Sequence, residues 1–329
     1  MGFRFSNKCA IAIGSAALLA GCGGTGAMTS TIAQPAQAGG GRSIVQQSFT
    51  RDSLGQAGPK TVIYLGNIDG QPGLGNVMVY PSGLQQHNPS PLRTIAQGTT
   101  RPSGLWVDTA GTLFVANLPQ GAPSIGVTEF HPGASQPFRT LTDQLSDPEQ
   151  VAVAKDGTVY VNQNINNEDF VTVFAPGSTH ALATVDTHFG GYALVPGEMA
   201  FDLHGNLIVS VETFRTGCHI FKITPGSLKV TELKLNVGVD GEGLAIDGAG
   251  NVYVAGFFNA PGIQVFAPGS KNPTRVINHG ATALSVKPDG TLYAMTESGV
   301  SEYLPGGSEP VNSFGAPVQG FGIALGPVR

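Results

Sequence analysis

From residue 61 onward the apolar residues fall in short runs rich in Val, Ile, Leu, Tyr and Phe, separated by polar turns that end in Gly or contain Pro. Runs of that composition and length, bounded in that way, predict β-strands. One pattern recurs five times: a short strand, a polar turn ending in Gly, then a second strand. Its copies are Leu105–Asn117 (LWVDTAGTLFVAN), Val151–Gln163 (VAVAKDGTVYVNQ), Met199–Val211 (MAFDLHGNLIVSV), Leu244–Gly256 (LAIDGAGNVYVAG) and Leu284–Thr296 (LSVKPDGTLYAMT). The turn glycines Gly111, Gly157, Gly205, Gly250 and Gly290 supply the positive φ that a tight hairpin needs. A second marker follows, an apolar or aromatic residue, one spacer and then Pro, usually with Gly after it. It appears at Tyr80-Pro81, Phe130-His131-Pro132, Phe174-Ala175-Pro176, Ile223-Thr224-Pro225, Phe266-Ala267-Pro268 and Tyr303-Leu304-Pro305, with Pro-to-Pro spacings of 51, 44, 49, 43 and 37.

Each unit therefore reads as four strands, A to D. A and B flank the Gly turn, C ends at the Pro turn, and D follows it. Strand C is expected at Ile125–Phe130, Val171–Phe174 and Ile263–Phe266, and strand D at Pro137–Leu141 and Thr274–Ile277. A four-stranded unit of ~40–45 residues is the size of a β-propeller blade. The first unit has a B strand at Thr61–Gly66 with no A before it, and the chain ends in Gly320–Gly326, an A strand with no B after it. Together they make one blade. The expected fold is all-β, a six-bladed β-propeller closed by pairing of the C-terminal strand with the N-terminal blade, which leaves no open edge between first and last blades. The alternative, an open solenoid, needs capped ends and leaves the split unit unexplained.

The hydrophobic-x-Asp-x-x-Gly-x-hydrophobic-aromatic-Val-Ala core, clearest at Leu244–Ala255, resembles bacterial NHL-type and related six-bladed propellers, including the gluconolactonase-like superfamily. The resemblance covers about residues 60–329 and implies the fold rather than a chemistry.

The 47 glycines and 23 prolines among 329 residues exceed the usual ~7% and ~5%, as many turns require. A hydrophobic share of 41% excludes a disordered chain, and a net charge of −5 with no Lys/Arg cluster excludes a nucleic-acid partner. Residues 1–21 read as a signal peptide: Arg4 and Lys8 precede the apolar run Ile11–Ala20, which is too short to span ~30 Å of hydrocarbon. Leu19-Ala20-Gly21-Cys22 is similar to a bacterial lipobox, which implies cleavage before Cys22, lipidation of its sulfur and anchoring to a membrane. An ordinary signal peptide or a core helix are the competing readings. Processing leaves 15 basic residues against 22 acidic, a net charge of −7, and leaves Cys218 as the one thiol outside the anchor. No internal disulfide is expected. Residues 22–59 read as a flexible lipidated tether and 60–329 as the propeller. The expected protein is an exported, membrane-anchored monomer at the outer membrane, periplasm or cell surface, a binding or scaffold module with an envelope protein or a glycan as its ligand. The alternative is a metal-dependent hydrolase, lactonase or lyase acting on small molecules at the channel mouth.

In a propeller, A lines the central channel. The D-to-A and B-to-C connections, here long and variable, share one face, where binding residues concentrate. The residues just before strand A include Ser103, Glu149, Glu198, Asp240, Glu242, Thr282 and Gln319. Those just after strand B are Asn67, Asn117, Asn164, Glu212, Phe257 and Glu297. Five acids, Glu149, Glu198, Glu212, Glu242 and Glu297, are thus expected near the axis. Close carboxylates require a cation, a proton or a donor. Oxygen ligands suit Ca²⁺ or another divalent ion, with Glu149, Glu198 and Glu242 the metal candidates and Asn117 or Asn164 supporting them. The competing reading has these acids solvated or bonded to backbone N–H groups of neighbouring blades.

The gluconolactonase resemblance implies a divalent ion held by Glu, Asn and Asp. Val239–Asp247 (VDGEGLAID) matches part of that pattern, with Asp240 nearest to the acidic ligand, but Pro102-Ser103-Gly104 stands where those enzymes carry Glu-Gly-Pro. The lyase-type relatives imply axial His residues, for which only His188 and His279 are placed. No Gly-x-Ser-x-Gly elbow, His-Glu-x-x-His pair or phosphate loop is present. No catalytic residue is assigned. Trp106 is expected to pack between blades, with carbohydrate stacking as the alternative. Cys218 is expected to be a buried thiol. Phe257 and Phe258 are expected either as exposed anchors for a partner or as core.

Overall fold

The A-to-B hairpins show why the repeat folds locally. In blade five the Asp247 carboxylate closes the turn. Its Oδ1 accepts from the N–H groups of Ala249 and Asn251, both at 2.9 Å, while Oδ2 accepts from Asn251 Nδ2 at 2.8 Å and from the Tyr253 hydroxyl at 3.0 Å. Gly250 then turns the chain at φ +84°, and its N–H donates to Asp247 O at 3.0 Å. A short polar side chain that mimics a backbone turn, followed by a residue free of the Cβ clash, is the chemistry such a turn requires. Asp202 and Asn206 repeat it in blade four. The other four turn glycines also have positive φ, between 79° and 91°.

The computed structural model describes residues 61–68, 75–83, 89–119, 125–166, 168–187, 193–213, 217–257, 260–296, 298–315 and 322–327, with backbone alone for 193–196. They lie within one compact unit, Gln56–Arg329. The signal peptide, Cys22 and the tether lie outside the described residues, as do His188, Phe258, Glu297 and Gln319.

Blade one contains β1 (Thr61–Asn67), β2 (Asn76–Pro81) and β3 (Arg93–Ile95). Blade two contains β4 (Pro102–Val107), β5 (Leu113–Asn117), β6 (Gly126–Phe130) and β7 (Arg139–Leu141). Blade three contains β8 (Asp147–Val153), β9 (Val159–Ile165), β10 (Glu168–Phe174) and β11 (Ala181–Asp186). Blade four contains β12 (Ala193–Phe201), β13 (Leu207–Thr213), β14 (Gly217–Thr224) and β15 (Lys229–Glu232). Blade five contains β16 (Gly243–Ile246), β17 (Val252–Gly256), β18 (Gly262–Phe266) and β19 (Arg275–Ile277). Blade six contains β20 (Ala283–Val286), β21 (Leu292–Thr296), β22 (Gly299–Tyr303) and β23 (Asn312–Phe314), and the last strand is β24 (Ile323–Pro327). The result is six four-stranded antiparallel sheets. The last strand completes blade one in the order β24-β1-β2-β3, with Ile63 opposite Leu325 and Leu65 opposite Ile323. The expected ring closure is what the structure shows.

The inner strands touch in a closed series, β24-β4-β8-β12-β16-β20 and back to β24. The core is therefore distributed as six apolar layers, each between two neighbouring blades. The layer between blades six and one packs Tyr293, Met295 and Phe314 against Ile63, Leu65 and Tyr80. The layer between blades five and six packs Tyr253 and Val265 against Leu284 and Tyr303. Four of the outer strands, β3, β7, β19 and β23, have three residues each, which limits edge-to-edge pairing.

In blades two, three and four the A strands run further toward the loop-bearing face than the sequence pattern indicates. Register shifts at Pro102/Gly104, Pro148/Gln150 and Pro196/Met199 insert a bulge near the start of β4, β8 and β12. Proline has no N–H to give to a ladder, and an edge bulge is where a sheet accommodates it. As a result Ser103, Glu149 and Glu198 lie inside strands rather than before them. Asn117, Asn164 and Glu212 likewise lie within β5, β9 and β13 rather than after them.

Candidate functional site

The central carboxyl is Glu198. It extends from β12 of blade four and is 6% exposed. Its Oε2 accepts from the backbone N–H of Leu244 at 2.7 Å and of Leu284 at 3.1 Å. These donors belong to the inner strands of blades five and six, whose channel-side edges have no further strand to pair with. Glu198 thus spans three blades. Burial holds its pKa well above the usual carboxyl value, against the lowering effect of the two N–H donors.

Two more acidic groups lie on the same face. In blade three, Asp147, Asn164 and Asp169 occupy one row across β8, β9 and β10. Burial raises Glu149 to about 9, with the charges of Asp147 and Asp169 adding to the shift. Burial also raises Asp169 to about 7, and raises Asp147 against the opposing charge of Arg101. Asp169 is fully buried, and neither of its carboxyl oxygens has a hydrogen-bond partner. Between blades four and five, burial raises Glu242 to about 7, and the charges of Asp240 and Glu212 add to it. Burial and then the Asp240 charge raise Glu212. Glu242 Oε2 accepts from the Phe257 N–H at 3.0 Å and Asp240 Oδ2 from the Ala260 N–H at 3.0 Å.

Glu149, Glu198 and Glu242 therefore stand apart, each in its own surroundings. Among the described residues no group of three or more His, Cys, Asp or Glu side chains is arranged to hold a metal ion. The Asn117 amide is occupied by the fold: Oδ1 accepts from the Thr100 N–H at 3.0 Å, and Nδ2 donates to Val115 O at 3.0 Å and Gly126 O at 3.1 Å.

Cys218 is 7% exposed in β14. Burial, followed by the Glu212, Glu242 and Asp240 charges, pushes its thiol up to about 12, so it is not a nucleophile near neutral pH. Trp106 meets Phe201 edge to face at 5.8 Å, joining the inner strands of blades two and four and packing on the layers beside blade three. That placement is packing, as expected, though it reaches past the neighbouring blade.

The fold is shared with proteins of unlike chemistry. A protein of unknown function from Bacteroides caccae matches at TM-score 0.61 and 12% identity, covering 82% of this chain and 99% of that one. The hydrazine synthase of Kuenenia stuttgartiensis matches at TM-score 0.56 and 16% identity, over 70% and 77%. A gluconolactonase of Xanthomonas campestris matches at TM-score 0.52 and 13% identity, over 66% and 76%. No family model and no curated protein sequence matches the chain. Identities this low show the propeller fold and nothing finer.

The sequence reading passed over Asp147 and Asp169, and a signal for the second was present. Asp169 shares the alternation of Val171 and Val173, which places it on an inward-facing row. It also passed over a groove of about 540 Å³ between blades five and six. There His279 Nδ1 lies 3.1 Å from the Tyr303 hydroxyl.

Proposed function

We propose that this chain is an exported, lipid-anchored binding module, a propeller that presents its loop-bearing face to a protein or glycan ligand at the cell envelope. The observation that carries this reading is the employment of the polar groups at the mouth. Glu198, Glu242, Asp240 and Asn117 each bond to the protein's own backbone instead of converging on a point where a substrate atom or an ion would sit. A reactive centre needs a nucleophile, base or electrophile held within reach of one another. The anchor at Cys22 supports an envelope location through the lipobox pattern.

The test uses the full chain and its Cys22→Ser variant, followed through membrane fractionation and an assay of glucono-δ-lactone hydrolysis with Ca²⁺, Mg²⁺, Mn²⁺ or Zn²⁺ added. The reading expects wild type in the membrane fraction, the variant in the soluble fraction, and no metal-stimulated turnover. The second reading is a divalent-ion-dependent hydrolase of lactone-like compounds. It draws on the carboxyls with raised pKa at the mouth and on the fold shared with the Xanthomonas gluconolactonase. Metal-dependent turnover together with a rise in melting temperature on ion addition establishes that reading and removes the first.

A further inference from the structure

The groove between blades five and six has a lining unlike the rest of the binding face. Its volume of about 540 Å³ falls within the ~300–1,000 Å³ of small-molecule sites. Its polar wall is built from Thr296, Ser298, Ser301, Ser313, Asn278 and His279. Phe257, Pro261 and Pro310 supply apolar ring faces. Among the described residues no carboxylate, ammonium or guanidinium lines it, although acids gather at the mouth of the same face; Glu297, between Thr296 and Ser298 in sequence, lies outside the described residues.

The polar wall is arranged before any ligand arrives. Thr296 and Ser298 pair hydroxyl to hydroxyl at 3.2 Å, as do Ser301 and Ser313 across β22 and β23. Thr296 Oγ1 also donates to Gly299 O at 3.1 Å, so its donor is used within the fold, but a hydroxyl oxygen has two acceptor positions and each member of the two pairs retains at least one. The Tyr303 hydroxyl engages His279 at Nδ1, leaving Nε2 for a ligand. Asn278 lies beside it on the link between β19 and β20, contributing an amide that both donates and accepts. The adjoining strand β22 is bonded to β21 on one side and β23 on the other, so it has no free backbone edge for an added peptide strand. Recognition there falls to side-chain hydroxyl, amide and imidazole groups beside ring faces.

From this we infer that the groove between blades five and six binds a neutral saccharide, its ring hydroxyls meeting the Ser, Thr, Asn and His wall and its C–H faces meeting Phe257 and the prolines. The inference rests on the binding-module reading and gives it a ligand class and a place. The described lining residues offer no counter-charge to sugar acids, phosphosugars or polyamines, and an ion moved into a groove without a counter-charge loses hydration with no return.

The experiment titrates the full chain in detergent with maltotriose, cellotriose and triacetylchitotriose, with gluconate as the charged control, using ligand-observed NMR and calorimetry. One neutral trisaccharide binds, gluconate does not, and Asn278→Ala and His279→Ala each weaken binding at least tenfold while their melting curves match wild type. Both side chains are exposed, so fold and site are separable in these variants. Absence of binding by all three sugars, or equal binding of gluconate, overturns the inference. Trisaccharide binding that survives both substitutions but is lost in Glu242→Gln also overturns it, while leaving the binding-module reading intact. Metal-dependent lactone turnover removes that reading, and the groove variants still report on the saccharide.

Discussion

Replacing Glu198 separates a carboxyl that serves the architecture from one that serves chemistry. Glu198→Ala removes the acceptor of two buried N–H groups, Leu244 at 2.7 Å and Leu284 at 3.1 Å, on two different blades. An orphaned buried donor costs about 1–3 kcal/mol, so the pair sets a loss of about 2–6 kcal/mol. Glu198→Gln keeps a carbonyl oxygen in the same place and should stay within about 1 kcal/mol of wild type at pH 5.5. The two variants also part in their pH dependence. Burial raises the Glu198 pKa above the ordinary 4.5, so the folded protein holds a proton that the unfolded chain releases. That contribution is fully present below pH 4.5 and is lost as pH rises toward the folded value, at about 1.4 kcal/mol for each pH unit over which the two states differ by one proton. Glu198→Gln has no such proton, so its stability should fall less steeply than that of wild type.

Urea unfolding at pH 5.5, 6.5 and 7.5 measures all three proteins. Glu149, Asp169 and Glu242 act with the same sign, since burial raises each of them. They remain in every variant, and the difference between wild type and Glu198→Gln cancels them to first order. The expected order at pH 7.5 is Glu198→Gln at least as stable as wild type, with Glu198→Ala far below both. If Gln is as damaging as Ala, Glu198 is not acting as an acceptor for blades five and six. If wild type and Glu198→Gln share one pH slope, its pKa is not raised by the fold.

Ring closure, a buried ion pair and the lone thiol give three more tests. Ala324→Pro, opposite Tyr64 in the β24–β1 ladder, should abolish cooperative thermal unfolding by near-ultraviolet circular dichroism, and a sharp transition at the wild-type temperature would contradict closure. Arg139 grips the fully buried Glu129 through two bonds of 2.7 and 2.6 Å. Arg139→Met should lose about 3–5 kcal/mol in urea unfolding, and adding Glu129→Met should recover most of it. Cys218, 7% exposed with its thiol pushed up to about 12, should stay unreactive toward a thiol reagent at pH 8 until denaturant is added.

The fold was legible because its signals are local. A polar turn ending in Gly closes each of five hairpins, with Asp three residues before the Gly in three of them and directly before it in the other two, and with the split unit this recurrence counts six blades. The split blade was legible for the same reason, since Thr61–Gly66 and Gly320–Gly326 are each half of a pattern seen whole elsewhere. The ends of strands were less legible, because Pro102, Pro148 and Pro196 mark bulges rather than stops, and a bulge depends on the neighbouring strand. The site was the least legible. Alternation assigns a side chain to a face of its sheet but does not say what the next blade places opposite. Nothing local to Glu198 indicates that its carboxyl reaches the backbone of residues 46 and 86 positions away. Ser301 and Ser313 likewise read as strand residues until the link bearing Asn278 and His279 is seen beside them.

A propeller presents one inner edge per blade to its own channel, and each edge carries N–H groups with no neighbouring strand. Acids near the axis are therefore called for by the architecture before any ligand is considered, and an acid-rich mouth is weak support for metal chemistry on this fold. The useful distinction is between carboxyls that meet an N–H and those that do not. Glu198, Glu242 and Asp240 meet one. Asp169 does not, being fully buried with both oxygens unpartnered, and its rise to about 7 shows how the protein accommodates it, by favouring the protonated form. By the same reasoning, polar groups left with bonding capacity mark where a ligand fits. In the groove between blades five and six, hydroxyl, amide and imidazole groups with such capacity form a wall whose described residues carry no charge.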